Sequence, residues 1–201
     1  MYVKHLDYED YKKNQTEANK RKIDKVWVQR ETIIEIKKYC DSQGSNVNNI
    51  ICHGTRNGAE QKYFKEIFKC NVLGTEISDT ANRFENTIQW DFHDFKEEWK
   101  DKFDIVYTNS WDHAYDFDKA LNNWMKSLSD NGLLVLEHTK EHIAARNSVD
   151  CFGMPKEELK EIILKKGFLV KDILEYKPNK LNKNLMSKEV EVFHLFVVCK
   201  I

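Results

Sequence analysis

Three groups of residues in this 201-residue chain have types and spacings suited to chemistry. The first is ICHGTRNGAEQ, residues 51–61, where Gly54 and Gly58 punctuate the passage from an apolar run to an amphipathic one. A glycine turn from strand to helix lets a ligand approach the backbone and face helix N–H groups. Such turns also join many strands to helices with no ligand, so the loop alone assigns nothing. The second group supplies context. Glu76 stands 22 residues after Gly54, close to the roughly 20-residue spacing of an acid that accepts from ribose hydroxyls. Asp91, with Phe92 beside it, follows the next apolar run, where a carboxylate can accept from an adenine amino group alongside the ring. The third group is NSWDH, with Asp112 and His113. Histidine titrates near neutrality, so His113 is the first choice of base, with Asp112 as an alternative base or as the group that orients it. A loop histidine beside a helix-capping aspartate is the plainer reading.

These residues need a frame. Residues 17–40 place Ile23, Val26, Trp27, Ile33 and Ile34 at helical spacing and predict one amphipathic helix, after a polar stretch at 1–16. VNNIIC is a strand running into the glycine loop, and Ala59, Tyr63, Phe64, Ile67 and Phe68 mark a helix leaving it. NVLGTEI is a strand, SDTANRFEN a polar connection, TIQW a short strand, DFHDFKEEWKDK a loop or short helix, and FDIVYTNS a buried strand. Phe117, Ala120, Leu121, Trp124 and Leu128 mark a helix that SDNG ends, with Gly132 as a left-handed stop, before the strand LLVLEH. Pro155, Glu157 and Glu158 open a further helix that Lys165, Lys166 and Gly167 close. FLVKDILEY and VEVFHLFVVC read as an antiparallel pair, because KPNKLNKNLMSKE between them is too short and unpatterned for a crossover helix. The expected class is α/β, with a mostly parallel seven-stranded sheet, an antiparallel C-terminal strand and helices on both faces. One domain spans 1–201, with 1–45 as a helical extension packed on it.

Composition narrows the partners. Lys plus Arg number 32 against 33 for Asp plus Glu, so no global field attracts nucleic acid or acidic membrane. Five cysteines in no CxxC pair, and an N-terminus MYVKHLDYEDYKK without a signal-peptide core, make a cytoplasmic location the expectation. The longest apolar run, Val190 to Cys199, is interrupted by Glu191 and His194 and is too short to span a bilayer as a helix.

On these residues the chain resembles the class I S-adenosylmethionine-dependent methyltransferases, a Rossmann-like family of three-layer sandwiches, over most of residues 47–201. NIICHGTRNG matches the glycine motif, VLGTEIS the ribose acid, WDFHD the adenine acid, FDIVYTNSWDH the fourth strand and LSDNGLLVLEH the fifth. The closing hairpin discriminates best, since nicotinamide-binding Rossmann domains normally continue in parallel. The resemblance implies S-adenosylmethionine as cofactor, with His53, Gly54, Thr55 and Gly58 at its methionine end, Glu76 on the ribose, Asp91 and Phe92 at the adenine, and Asn109 and Ser110 facing the methyl sulfonium. It implies O- or N-methylation of a small-molecule or glycan-type acceptor. A non-catalytic binding domain of the same fold is the alternative, and a nicotinamide oxidoreductase stands behind it.

Three departures from the family pattern are present. Cys52 stands where an acid is usual, Arg56 replaces the middle glycine, and the segment between the second and third strands is too short for a full helix. Arg56 either pairs with the methionine carboxylate or points to solvent. Glu137, His138 and His142, with Asp112 or His113, are suitable metal ligands but share no ligand spacing, so no metal is expected. NSWD lacks the prolines of nucleic-acid amino-methyltransferases, so no nucleic-acid partner is expected. The acceptor pocket falls to residues 1–25, the segment after Trp111, the stretch His138 to Met154 and the loop 177–189.

Overall fold

A computed structural model describes residues 7–179 and 192–201. Residues 1–6 and 180–191 lie outside the described residues, and with them most of the 177–189 loop and the start of the last expected strand. Seven strands form one sheet: β1 (Asn49–His53), β2 (Asn71–Glu76), β3 (Thr87–Gln89), β4 (Phe103–Thr108), β5 (Leu128–His138), β6 (Leu169–Tyr176) and β7 (Phe193–Cys199). Their order is β3-β2-β1-β4-β5-β7-β6. The pairs among β1 to β5 are parallel, and β7 runs antiparallel to both β5 and β6. The mostly parallel sheet with one antiparallel strand is therefore as expected.

The period of two along each strand divides the core. Val106, Leu134, Leu136 and Phe196 face one side with Trp111, Phe117 and Trp124. Ile105, Tyr107, Val135 and Leu195 face the other with Ile33, Ile36 and Phe64. Helices α4 (Phe117–Ser127) and α5 (Lys156–Lys165) cover the first face, and α2 (Arg30–Ser42) and α3 (Ala59–Phe68) cover the second. No helix among the described residues is long and apolar enough to cross a membrane.

Two expectations fail for physical reasons. The single helix over 17–40 is two helices, α1 (Tyr8–Arg21) and α2, separated by residues 22–29. Lys22 closes α1 by donating to the carbonyls of Ala18 and Asn19, and the Asn57 side chain then takes the carbonyls of Ile23 and Lys25 at 2.8 and 3.0 Å. Helix α1 starts inside the stretch that carried no apolar pattern, because its buried residues include Gln15 and Asn19, which hydropathy counts as exposed. The second failure is Gly132, whose φ is not positive. Helix α4 runs straight into β5 at Leu128, and the register shifts between Phe103 and Ile105. A Cβ on Gly132 would lie 2.7 Å from the Phe103 carbonyl, so the glycine permits close strand approach and stops no helix.

Candidate functional site

Strand β1 lies between β2 and β4, where the order of the sheet reverses, and ligands of open α/β sheets bind beyond the carboxyl ends of strands at such a point. The loops after β1, β3 and β4 and the end of β2 meet there. Gly54, Glu76, Asp91, Phe92 and Ser110 line one cleft, roofed by Tyr11 and Gln15 of α1. A larger cavity is lined by Thr55, Glu60, Asn109, Asp112, His142 and Asp150, among others. Gly54, Arg56, Ser110 and His113 line both, so the two spaces join at the switch point.

The glycine loop hangs on the end of β2. The N–H groups of Gly54 and Thr55 donate to the Thr75 carbonyl at 2.9 and 3.0 Å, and that of Arg56 donates to Glu76 Oε2 at 2.9 Å. Gly54 has φ +73°, and a Cβ there would lie 2.7 Å from Ser110 Cβ. Its lack of a side chain lets the loops after β1 and β4 touch. Gly54→Ala should lower unfolding free energy by about 2–4 kcal/mol, combining positive-φ strain of about 1 with overpacking of about 1–3, as read by urea denaturation. Gly58, at φ +76°, opens α3 and lines neither cavity, while Arg56 holds a left-handed φ of +44°.

The acids differ in how far the protein already uses them. Glu76 is buried and accepts from the N–H groups of Arg56 and Ser78, one on each oxygen. Burial pushes its pKa up, against the pull of those donors. Asp91 accepts from the Tyr8 hydroxyl on Oδ2, and from the N–H (2.9 Å) and Nδ1 (2.6 Å) of His93 on Oδ1. His93 Nε2 accepts from the N–H groups of Tyr115 and Asp116, which places its proton on Nδ1. Burial pushes Asp91 up, but the hydrogen bonds from His93 and Tyr8 outweigh it and hold the carboxyl below its usual range. His53 turns inward. Its ring stacks on Trp124, Nδ1 pairs with Thr75 Oγ1 at 2.8 Å, and it lines neither cavity.

Arg56 and Glu60 leave buried polar atoms unanswered. Arg56 Nη1 donates to the Lys25 carbonyl at 3.4 Å and the guanidinium lies 5.9 Å from the Trp27 ring centre, yet Nε is buried with no partner. Glu60 Oε2 is likewise buried and unpartnered, and burial pushes this carboxyl up to about 8. A free carboxyl ionises near 4.3. Between that pH and about 8 only the unfolded chain loses the Glu60 proton, so stability falls as pH rises through the window. Glu60→Gln should match wild type in melting temperature near pH 4 and exceed it by a growing margin up to pH 8, as parallel thermal melts would show.

Behind Ser110, three side chains converge. His113 Nε2 lies 3.6 Å from Asp112 Oδ1 and 3.5 Å from Asp150 Oδ1. Burial pushes Asp112 up to about 6 and pulls His113 down, the latter against the pull of the two carboxylates. The other ligand candidates of this edge are engaged elsewhere. His142 Nδ1 accepts from the Thr139 N–H, so Nε2 donates to the Asn109 carbonyl, both at 3.0 Å. His138 Nε2 pairs with the Met154 carbonyl, and Glu137 accepts from Thr32 and Tyr107. Asp150, Gln15, Glu60, Tyr8 and His93 carry no sequence signal of this role. Asp150, Gln15 and Tyr8 belong to segments without motif and are brought to the site by long-range packing, whereas Glu60 and His93 stand inside ICHGTRNGAEQ and WDFHD at positions those motifs do not single out.

No protein-family model and no curated protein sequence matches the chain. Solved structures do. The chain is 11% identical to Burkholderia thailandensis 1,6-didemethyltoxoflavin-N1-methyltransferase, solved with 1,6-didemethyltoxoflavin and S-adenosylhomocysteine, with a TM-score of 0.72 over 100% of this chain and 94% of that one. It is 15% identical to the N-methyltransferase NodS of Bradyrhizobium japonicum in complex with S-adenosylhomocysteine, with a TM-score of 0.60 over 92% and 97%. A SAM-dependent methyltransferase from Aquifex aeolicus gives 12% and 0.58 over 96% and 99%. The fold is that of the class I S-adenosylmethionine-dependent methyltransferases, with helices on both faces of the sheet.

Proposed function

We propose that the protein is an S-adenosylmethionine-dependent methyltransferase acting on a small-molecule or glycan-type acceptor at oxygen or nitrogen. The observation that carries this reading is the junction of two cavities at Gly54, Arg56, Ser110 and His113, with the two acids in one cavity and the Arg56 guanidinium, its Nε without a partner, shared with the other. When bound, S-adenosylmethionine supplies a methyl group on a positively charged sulfur. Glu76 accepts from the ribose, and Asp91 and Phe92 flank the adenine in the cleft under α1. The half-buried guanidinium of Arg56 takes the carboxylate at the methionine end, beside Gly54 and Thr55. Asn109 and Ser110 stand where the reacting centre falls. His53 supports the loop from the core side, its carbonyl accepting from Thr108 Oγ1. The acceptor occupies the larger cavity, where Asp112, His113 and Asp150 govern its proton, and the walls hold it in line for displacement.

Residues 1–201 act as one domain, with 1–45 as an extension whose α1 excludes water from the adenosine cleft. The free cysteines fit a reducing compartment such as the cytoplasm. Titration calorimetry with S-adenosylhomocysteine tests the reading, with NAD(H) as the control ligand. One S-adenosylhomocysteine per chain and no heat from NAD(H) is the expected result; no binding at millimolar concentration would overturn it.

A further inference from the structure

We infer that Asp112, His113 and Asp150 together form a binding site for a first-row divalent cation, opening on the larger cavity. The three lie within 4.8 Å of one another through one potential ligand atom each. Four observations point to a ligand between them.

The first is Asp112. The residue is only 3% exposed, and its Oδ1 is buried without a hydrogen-bond partner. An anionic oxygen so placed needs a positive neighbour.

The second is the tautomer of His113. Gln15 Nε2 donates to the Val149 carbonyl at 2.7 Å, which turns Gln15 Oε1 toward His113 Nδ1 at 3.1 Å. Oε1 is an acceptor only, so Nδ1 carries the proton and donates it. In the neutral ring the Nε2 lone pair then faces the two carboxylate oxygens. Metal-bound histidines are oriented in this way, by an acceptor on the far ring nitrogen.

The third is spacing. The Nε2 distances of 3.5 and 3.6 Å are too long for hydrogen bonds. Metal–ligand bonds of about 2.0–2.2 Å set tetrahedral ligand atoms roughly 3.4 Å apart.

The fourth is Asp150, whose Oδ2 is occupied by Arg146 Nη2 at 2.8 Å and Asn147 Nδ2 at 3.0 Å. Its Oδ1 is therefore turned to the cluster with the carboxylate held in orientation.

His142, whose Nε2 is 3.8 Å from Asp112 Oδ1, is committed to Asn109 and stays outside the ligand set. Two carboxylates and one imidazole suit Mn²⁺ or Zn²⁺ better than a soft ion, and the remaining positions face the cavity, open to water or to an acceptor oxygen. The assignment deepens the proposed function by giving the acceptor cavity a Lewis acid, but the site itself stands on these side chains alone.

The test uses the full chain without a histidine tag, stripped by chelator and titrated with Mn²⁺ while the free-ion signal is followed by electron paramagnetic resonance. One site of micromolar Kd is expected, displaced by Zn²⁺ and showing nitrogen coupling from a single imidazole. Asp150→Asn should weaken it more than 10-fold. Gln15→Leu, which keeps every ligand and frees the ring, should weaken it by about 10-fold. Circular dichroism checks that each variant is folded. No binding of either ion at millimolar concentration would overturn the assignment, as would binding that lacks the nitrogen coupling and ignores Asp150→Asn. Metal occupancy is read without S-adenosylmethionine, so this result and the calorimetry on S-adenosylhomocysteine can fail separately.

Discussion

Glu76→Gln should weaken S-adenosylhomocysteine binding by about 30- to 100-fold, read by titration calorimetry on folded variant. The carboxylate has two tasks that an amide cannot share. One oxygen fixes the Arg56 N–H and the other the Ser78 N–H, so the acid ties the glycine loop to the end of β2 while its remaining lone pairs face the cleft. A glutamine must turn its NH₂ against one of those donors or toward the ribose hydroxyls. Hydrogen bonds to a charged group are worth about 1.5–3 kcal/mol, and each 1.4 kcal/mol is tenfold in affinity. Asp91→Asn should cost less, about 5- to 10-fold, because Tyr8 and His93 already share that carboxylate and the proposed adenine contact would be only part of its work. An affinity within threefold of wild type for Glu76→Gln would remove the ribose role.

The contrast between these acids separates what sequence spacing can carry from what it cannot. The position of Glu76 at the cleft was legible because the distance from Gly54 is set by local geometry: one helix and one strand must fit between them, and α3 with β2 do so. The antiparallel last strand was legible because the segment before it has no helical pattern. The roof over the cleft was not. Helix α1 buries Tyr11, Gln15 and Asn19, and its partners lie far along the chain, Gln15 on His113 and Asn19 on Thr80. A polar face satisfied by distant polar groups has the same hydropathy as a solvated one. The break at 22–29 has the same origin, since Asn57, over thirty residues away, takes the carbonyls that would otherwise continue the helix. Asp150 falls outside reach for a further reason. It comes from a loop without regular structure, and only its contacts with Arg146 and Asn147 orient it toward His113.

Arg56 is where sequence reasoning stopped at two alternatives, and the structure makes them separable. The side chain is turned between the two cavities and onto Trp27, with Nε buried and unanswered. A half-buried cation whose Nε is shut off from water without a partner gains when a ligand supplies the anion. Arg56→Met should therefore weaken S-adenosylhomocysteine by about 30-fold or more, the worth of about 2–3 kcal/mol for a charged pair, while methylthioadenosine, which has no carboxylate, binds both proteins alike. Arg56→Gly isolates the backbone. At φ +44° glycine relieves the left-handed strain, so this variant should melt no lower than Arg56→Met and yet show the same loss for S-adenosylhomocysteine. If the two ligands weaken together, the guanidinium serves the shape of the loop; if only the carboxylate-bearing one weakens, the third glycine of the motif has been exchanged for a direct grip on the cofactor.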